Sequence, residues 1–289
     1  MRPRFVFVAI VLLLAAGSAA TTEEVFRLEI LSNVVKQGEV CLIKASIPAS
    51  LRSVYGEFRG ERIPFAFNEK NRTYEGLIGI DMSTPPATYE IKVTATDEAG
   101  NLQSSALALR IEKVDFGVQR LSLPREMVEL DAKTLERVDR EARRLETLFQ
   151  TFRDEKLWSG SFIRPVGGEL SERFGVNRII NGQQRSPHVG IDLRSDEGVP
   201  VLACNSGMVV LVDDLFFSGK SILLDHGWGL YSMYFHLSET SVKEGDRVDK
   251  GATLGRVGST GRSTGPHLHW GIRINGARVD PLSLLKIFD

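Results

Sequence analysis

Three short polar interruptions in an apolar, strand-like C-terminal half constrain this chain most. They are His188-Val189-Gly190-Ile191-Asp192, then His236, then His267-Leu268-His269, and they hold four of the five histidines. Strand side chains alternate between faces, so His267 and His269 point one way while Leu268 and Trp270 point the other. The same alternation groups His188 with Gly190 and Asp192, and Ser232 with Tyr234 and His236, each set opposite apolar neighbours. Polar groups gathered on one face of a sheet suit a metal site.

The rest of the chain reads as mainly β, in four parts. Residues 1–20 form a signal peptide: Arg2 and Arg4, an apolar run from Phe5 to Ala16, and the small residues Gly17-Ser18-Ala19-Ala20. The run is short of the roughly 20 residues that span a bilayer, so no membrane span is expected after cleavage; an uncleaved anchor is the alternative. The mature protein is expected to be exported, periplasmic or envelope-associated. Taking Arg2 and Arg4 from the 36 basic residues leaves 34 against 37 acids, which gives no electrostatic footprint for nucleic acid.

Residues 21–112 alternate short Val-, Ile-, Thr- and aromatic-rich runs with turn formers such as Asp97-Glu98-Ala99-Gly100-Asn101, the pattern of an immunoglobulin-like β-sandwich. Residues 113–158 form a helical linker. From Asp131 to about Trp158, Leu135, Val138, Ala142, Leu145, Phe149 and Phe152 recur at steps of three and four, so the helix is amphipathic, with Asp131 as N-cap. The pattern is too short for a sustained coiled coil and is expected to pack against a flanking domain. Residues 159–289 are again strands punctuated by glycine. Cys41 and Cys204 fall in different candidate domains; two buried thiols or one disulfide both fit an exported chain. Gly258 to Gly265 lacks the Lys-Ser/Thr of a phosphate loop and leads into a strand.

Catalytic zinc takes three protein ligands, often two His and a carboxylate, and leaves one position for water. His188 and Asp192 would lie about 13 Å apart on a straight strand, and Gly190 permits the bend that brings them together. His267 and His269 lie about 7 Å apart on one face, so one can bind the ion while the other stands beside the remaining position. His236 supplies a second unligated imidazole. Such an ion lowers the pKa of its water toward about 7, and the histidines are the available proton carriers. His226, in a glycine-rich turn, reads as structural.

Arg185-Ser186-Pro187-His188-Val189-Gly190-Ile191-Asp192-Leu193, Tyr234-Phe235-His236-Leu237, and Gly261 to Trp270 resemble the LytM/lysostaphin-type zinc metallopeptidases over residues of about 164–285. The resemblance implies a C-terminal antiparallel β groove and one zinc per chain held by His188, Asp192 and His269. It further implies His236 and His267 as catalytic histidines, and hydrolysis of peptide cross-links in bacterial peptidoglycan, stem-peptide or cross-bridge, by zinc-bound water. Two other functions fit the same resemblance: a non-catalytic LytM-like activator of another wall hydrolase, which would lack site positions present here, and a wall-binding protein. Substrate choice is expected in the loops Asp213 to Lys220 and Gly258 to Pro266, whose Gly, Ser and Thr content reads as mobile and polar. Phe149 and Phe152 must pack somewhere, which suggests intramolecular regulation: residues 113–158 across or beside the groove.

Overall fold

The computed structural model describes residues 26–47, 51–122, 129–184 and 186–288; the expected signal peptide and Arg185 lie outside them. Two compact units divide at Lys113 and Val114. The expected linker helix therefore belongs to the second unit. Among the described residues no helix is long and apolar enough to cross a membrane.

The first unit contains β1 (Arg27–Ile30), β2 (Val34–Lys36), β3 (Val40–Ser46), β4 (Leu51–Phe58), β5 (Glu61–Pro64), β6 (Ala66–Asn68), β7 (Thr73–Gly79), β8 (Thr88–Asp97) and β9 (Leu102–Glu112). They form two sheets, ordered β1-β3-β7-β6 and β2-β9-β8-β4-β5. Alternation decides the core: Ile91, Val93 and Ala95 of one sheet and Cys41, Ile43 and Ala45 of the other belong to one buried cluster. The turn into β9 closes where Asp97 accepts from the Asn101 backbone N–H at 2.8 Å.

The second unit begins with β10 (Val118–Leu121) and α1 (Ala132–Gln150), continues through β11 (Glu169–Glu172), β12 (Asn177–Ile180), β13 (Gln183–Gln184), β14 (Ile191–Arg194), β15 (Pro200–Leu202), β16 (Gly207–Leu215), β17 (Gly219–Asp225) and β18 (Leu230–Thr240), and ends with β19 (Arg247–Val248), β20 (Thr253–Val257), β21 (His267–Ile274), β22 (Ala277–Val279) and α2 (Pro281–Lys286). Its main sheet runs β11-β14-β21-β18-β17-β16-β19, with β15, β20 and β22 attached, and β10-β12-β13 forms a separate small sheet. Every neighbouring pair in the main sheet is antiparallel. In register across three strands, Ile191, Trp270 and Tyr234 are fully buried on one face, while Asp192, His269 and Phe235 lie on the other.

Asp131 caps α1 by accepting from the Thr134 N–H at 2.7 Å. The helix ends at Gln150, earlier than its periodicity predicts, because the next residues serve the β17–β18 turn. Thr151 O accepts from Tyr231 Oη at 2.5 Å, Arg153 O from the Trp228 N–H at 2.8 Å, and the Leu157 N–H donates to His226 O at 2.9 Å. Arg153 also pairs with the buried Asp225 carboxylate at 2.8 Å.

Leu145, Leu148 and Phe149 of α1 pack on Leu211, Leu215, Leu223, Met233 and Phe235, whereas Leu135 and Phe152 stay exposed. Only the last turns of the stripe are therefore used. Polar groups complete the docking: Arg137 donates to Asp214 O at 2.6 Å, Glu141 accepts from the Phe216 N–H at 2.9 Å, and Arg144 pairs with Asp213 and Glu244. Cys41 and Cys204 are free thiols, both buried.

Candidate metal centre

His188 precedes β14 in irregular chain, held by the pairing of its backbone with Gly175 and Val176 at 2.7 and 2.9 Å. That bend brings His188 Nε2 to 3.0 Å from Asp192 Oδ1, in place of the long straight-strand separation. β21 pairs with β14 so that His269 stands opposite Asp192, and His269 Nδ1 lies 2.9 Å from both Asp192 Oδ1 and His188 Nε2. A tetrahedral zinc with ligands at about 2.0–2.2 Å sets its donor atoms roughly 3.4 Å apart, so this buried triangle needs only slight expansion.

The tautomers suit a cation. His188 Nδ1 donates to Arg173 O at 2.8 Å, which leaves Nε2 as a lone pair aimed into the triangle. Burial alone would raise the Asp192 carboxyl, but hydrogen bonds and charges from His188 and His269 outweigh it and hold the group well below the usual carboxylate range. Burial pushes His269 down, against the pull of Asp192. A carboxylate and two imidazole nitrogens, all buried, are the donor set that a borderline-soft divalent ion takes. Among the described residues these three form the one such cluster.

His236 reaches the same face by a different device. β18 carries one extra residue against β17 between the pairs Lys220–Leu237 and Ile222–Tyr234, a β-bulge, and His236 sits there at φ 65°. Its N–H is still satisfied by Ser218 O at 2.8 Å. The bulge overturns one alternation reading: Ser232 and Tyr234 do not share the His236 face. They lie on the buried side, where Ser232 Oγ donates to Tyr234 Oη at 3.0 Å and lies 2.7 Å from His226 Nε2. His226 is fully buried, with Nδ1 donating to Ser206 O at 2.7 Å.

His236 Nδ1 donates to Thr260 O and His267 Nδ1 to Gly265 O, both at 2.8 Å, so in the neutral ring Nε2 is the acceptor that each presents. The two rings are 4.8 Å apart between centroids, and His267 Nε2 lies 3.8 Å from Asp192 Oδ1. Burial, with His269 and His267 adding to it, pushes His236 down to about 3 and keeps it neutral. All five expected site residues thus face one pocket or its wall: His236, His267, His269 and Asp192 line it, and His188 closes the triangle behind.

The bordering loops touch each other. Gly219 and Gly261 have positive φ, and a Cβ on Gly219 would stand 2.3 Å from Thr260 Oγ1 and 2.6 Å from Gly261 N. Their glycines therefore serve close approach, and the Arg262 N–H donates to Phe217 O at 2.8 Å across the junction.

Three polar pocket residues escape sequence reasoning. Glu172 and Arg178 pair with each other beside Asp192, and Gln119 comes from β10, which runs parallel to β12. No local spacing marks them. Glu172 reaches the site only through its cross-strand register with Asp192.

A family model described as Peptidase family M23 matches residues 186–281. The DD-carboxypeptidase/endopeptidase Mpg of Neisseria meningitidis serogroup B is 43% identical over 134 residues, 43% of this chain and 31% of that protein. The peptidoglycan DD-endopeptidase ShyA of Vibrio cholerae is 30% identical over 145 residues, 50% of this chain and 31% of that protein. This chain spans about a third of the length of these curated relatives. A crystal structure of a Pseudomonas aeruginosa protein assigned to peptidase M23 has a TM-score of 0.67 at 29% identity, covering 86% of this chain and 94% of that one.

Proposed function

The chain carries a peptidase family M23 domain at residues 186–281, and from that premise we propose that it is a zinc-dependent metalloendopeptidase that hydrolyses peptide cross-links of bacterial peptidoglycan. The observation that carries this reading is the triangle of His188 Nε2, Asp192 Oδ1 and His269 Nδ1 with two further imidazoles beside it. These three atoms would hold one zinc ion, whose chemistry when bound would be to activate water and polarise the scissile carbonyl.

His236 and His267 do the proton work. Nε2 of one ring takes the proton that the attacking water loses, and the imidazolium so formed returns it to the leaving amine. The hydrogen bonds from Nδ1 to Thr260 O and Gly265 O fix both rings in the tautomer this requires. The presence of all five groups favours an enzyme over a non-catalytic activator.

In this reading the two-sheet first unit is an immunoglobulin-like positioning module, and residues 1–20 export the chain to the cell envelope. Residues 113–158 regulate access, β10 through Gln119 and Leu121 in the pocket wall and α1 from beside the site on the same sheet face.

The test is zinc content and cross-link hydrolysis on purified protein. The parent should bind close to one zinc and cleave isolated peptidoglycan, losing activity to a chelator and regaining it with zinc. His188→Ala, Asp192→Ala and His269→Ala should each lose stoichiometric zinc. A zinc-replete parent that cleaves no cross-link, or a ligand variant with undiminished zinc affinity, would refute the reading.

A further inference from the structure

Arg178 lines the pocket beside the metal triangle, yet it belongs to neither the triangle nor the histidine pair. It lies on β12, outside the matched family segment, and its side chain is 26% exposed toward the pocket it lines. Glu172 occupies one edge of its guanidinium: Oε1 is 3.4 Å from Nε, and Oε2 lies against Nη2. That is a side-on pairing, which fixes the plane of the group and leaves the end-on edge, Nη1 and the second N–H of Nη2, open. Along that edge Nη2 stands 3.7 Å from Asp192 Oδ2, beyond a hydrogen bond. Asp192 uses its other oxygen in the triangle, so this edge of Arg178 lies beside the carboxylate that would hold the metal.

A guanidinium held rigid on one edge and free on the other is built to take a planar anion in a fork of parallel N–H donors. The charge balance agrees. Of the pocket's ionised side chains, Arg178 and Arg262 offset Glu172 and Asp192, so a divalent ion leaves the pocket net positive. Peptide chemistry then limits which anion can arrive. The α-carboxyl of the residue before the scissile bond is the scissile carbonyl itself. For an acyl residue linked through its α-carboxyl, a free α-carboxylate this close to the metal therefore sits on the residue that supplies the leaving amine.

We propose that Arg178 is a specificity residue that binds a free carboxylate on the leaving-amine side of the scissile bond. This rests on the peptidase reading and narrows its substrate class. Two peptide types carry such a group: a chain whose terminal residue is removed, and a branched cross-link whose donor amine neighbours a free carboxylate. Glu172 positions Arg178 and prevents it from collapsing onto Asp192.

The experiment uses the zinc-loaded full chain and two pairs of synthetic peptides. One pair ends in D-alanyl-D-alanine as the free acid or the carboxamide. The other is branched, with D-alanine joined to a side-chain amine that neighbours a carboxylate or a carboxamide. Hydrolysis gives KM and kcat, and calorimetry gives binding separately. The acid of at least one pair should be preferred by roughly tenfold to a hundredfold, through KM and binding, as expected for hydrogen bonds to a charged group. The pair that shows it identifies the peptide type. Arg178→Gln should bring acid and amide close to parity while keeping one zinc per chain. Equal binding of acid and amide by the parent overturns the assignment without any variant, and so does a preference that survives Arg178→Gln. Binding preference without hydrolysis of any peptide or of peptidoglycan counts against the peptidase reading alone.

Discussion

Gly190 leaves the space that the His269 imidazole fills. A Cβ at residue 190 would stand 2.7 Å from His269 Nε2, 2.9 Å from its Cε1 and 2.5 Å from Trp270 O. The backbone at 190 has no positive φ, so the need for glycine is steric and not conformational. Gly190→Ala should push His269 out of the triangle. We expect a destabilisation of about 1–3 kcal/mol, typical of overpacking, and weakened zinc binding. Zinc affinity by chelator competition and a melting curve of the metal-free protein check it. Parental values in both would show that β21 moves freely away from β14.

His236 and His267 separate chemistry from metal binding. Neither belongs to the triangle, so His236→Ala and His267→Ala should each keep close to one zinc per chain. Each should lower peptidoglycan cleavage by about 10²- to 10⁴-fold, the range for a general acid–base group. Loss falling on kcat rather than KM is the expected signature. Near-parental hydrolysis from both variants would sink this division of labour. Zinc lost from the His267 variant but kept by His269→Ala would mean their roles are exchanged.

How far such a site can be read from sequence depends on whether each residue obeys local periodicity. His267 and His269 do, because β21 is regular where they sit, and register with β14 alone sets His269 opposite Asp192. His236 does not: alternation assigns it the face of Tyr234, and only the bulge turns it toward the metal position. Spacing could suggest that His188 and Asp192 converge, but the irregular chain before β14 depends on backbone bonds to Gly175 and Val176. The helix shows the same limit. Its apolar steps continue to Phe152, yet the chain leaves the helix at Thr151 because the β17–β18 turn takes up the following backbone. Tertiary hydrogen bonding overrides a pattern that carries no information about it.

His226 links the second unit's stability to pH. Burial pushes it down to about 4 from 6.5, against the opposing effects of Ser206 O and Asp225. Above the ordinary value both folded and unfolded chains hold it neutral, so its contribution is complete there. As pH falls from 6.5 through 4, the unfolded chain gains a proton that the folded chain refuses, and stability is lost, by about 3 kcal/mol at full extent. His226→Gln should flatten this part of the profile relative to the parent, whatever its effect on stability at neutral pH. Denaturant melts at pH 7 and pH 4.5 give the comparison; identical losses in parent and variant would exclude His226 as the responsible group.

β10 supplies part of the pocket wall through Gln119 and Leu121. It is four residues long, lies at the edge of its sheet, and is anchored upstream by Phe116, whose ring lies where a Cβ on Gly175 would come within 2.0 Å. Within it, Gln119 Oε1 is buried without a hydrogen-bond partner. An unsatisfied buried acceptor costs about 1–3 kcal/mol, which weakens the closed arrangement relative to one in which the strand swings into water. If residues 113–158 limit access, two substitutions should act in opposite directions. Phe116→Ala removes the anchor and should raise kcat/KM on peptidoglycan by roughly tenfold, the change that about 1.4 kcal/mol of lost packing makes in an equilibrium. Gln119→Leu removes the unsatisfied oxygen, favours closure and should lower kcat/KM. Zinc content should be parental in both, since neither residue touches the triangle. Deleting residues through 158 is the less discriminating test, because it also uncovers Leu223, Met233 and Phe235 beneath α1. Activity that falls with Phe116→Ala while the protein stays folded would make β10 a fixed wall of the groove and not a gate.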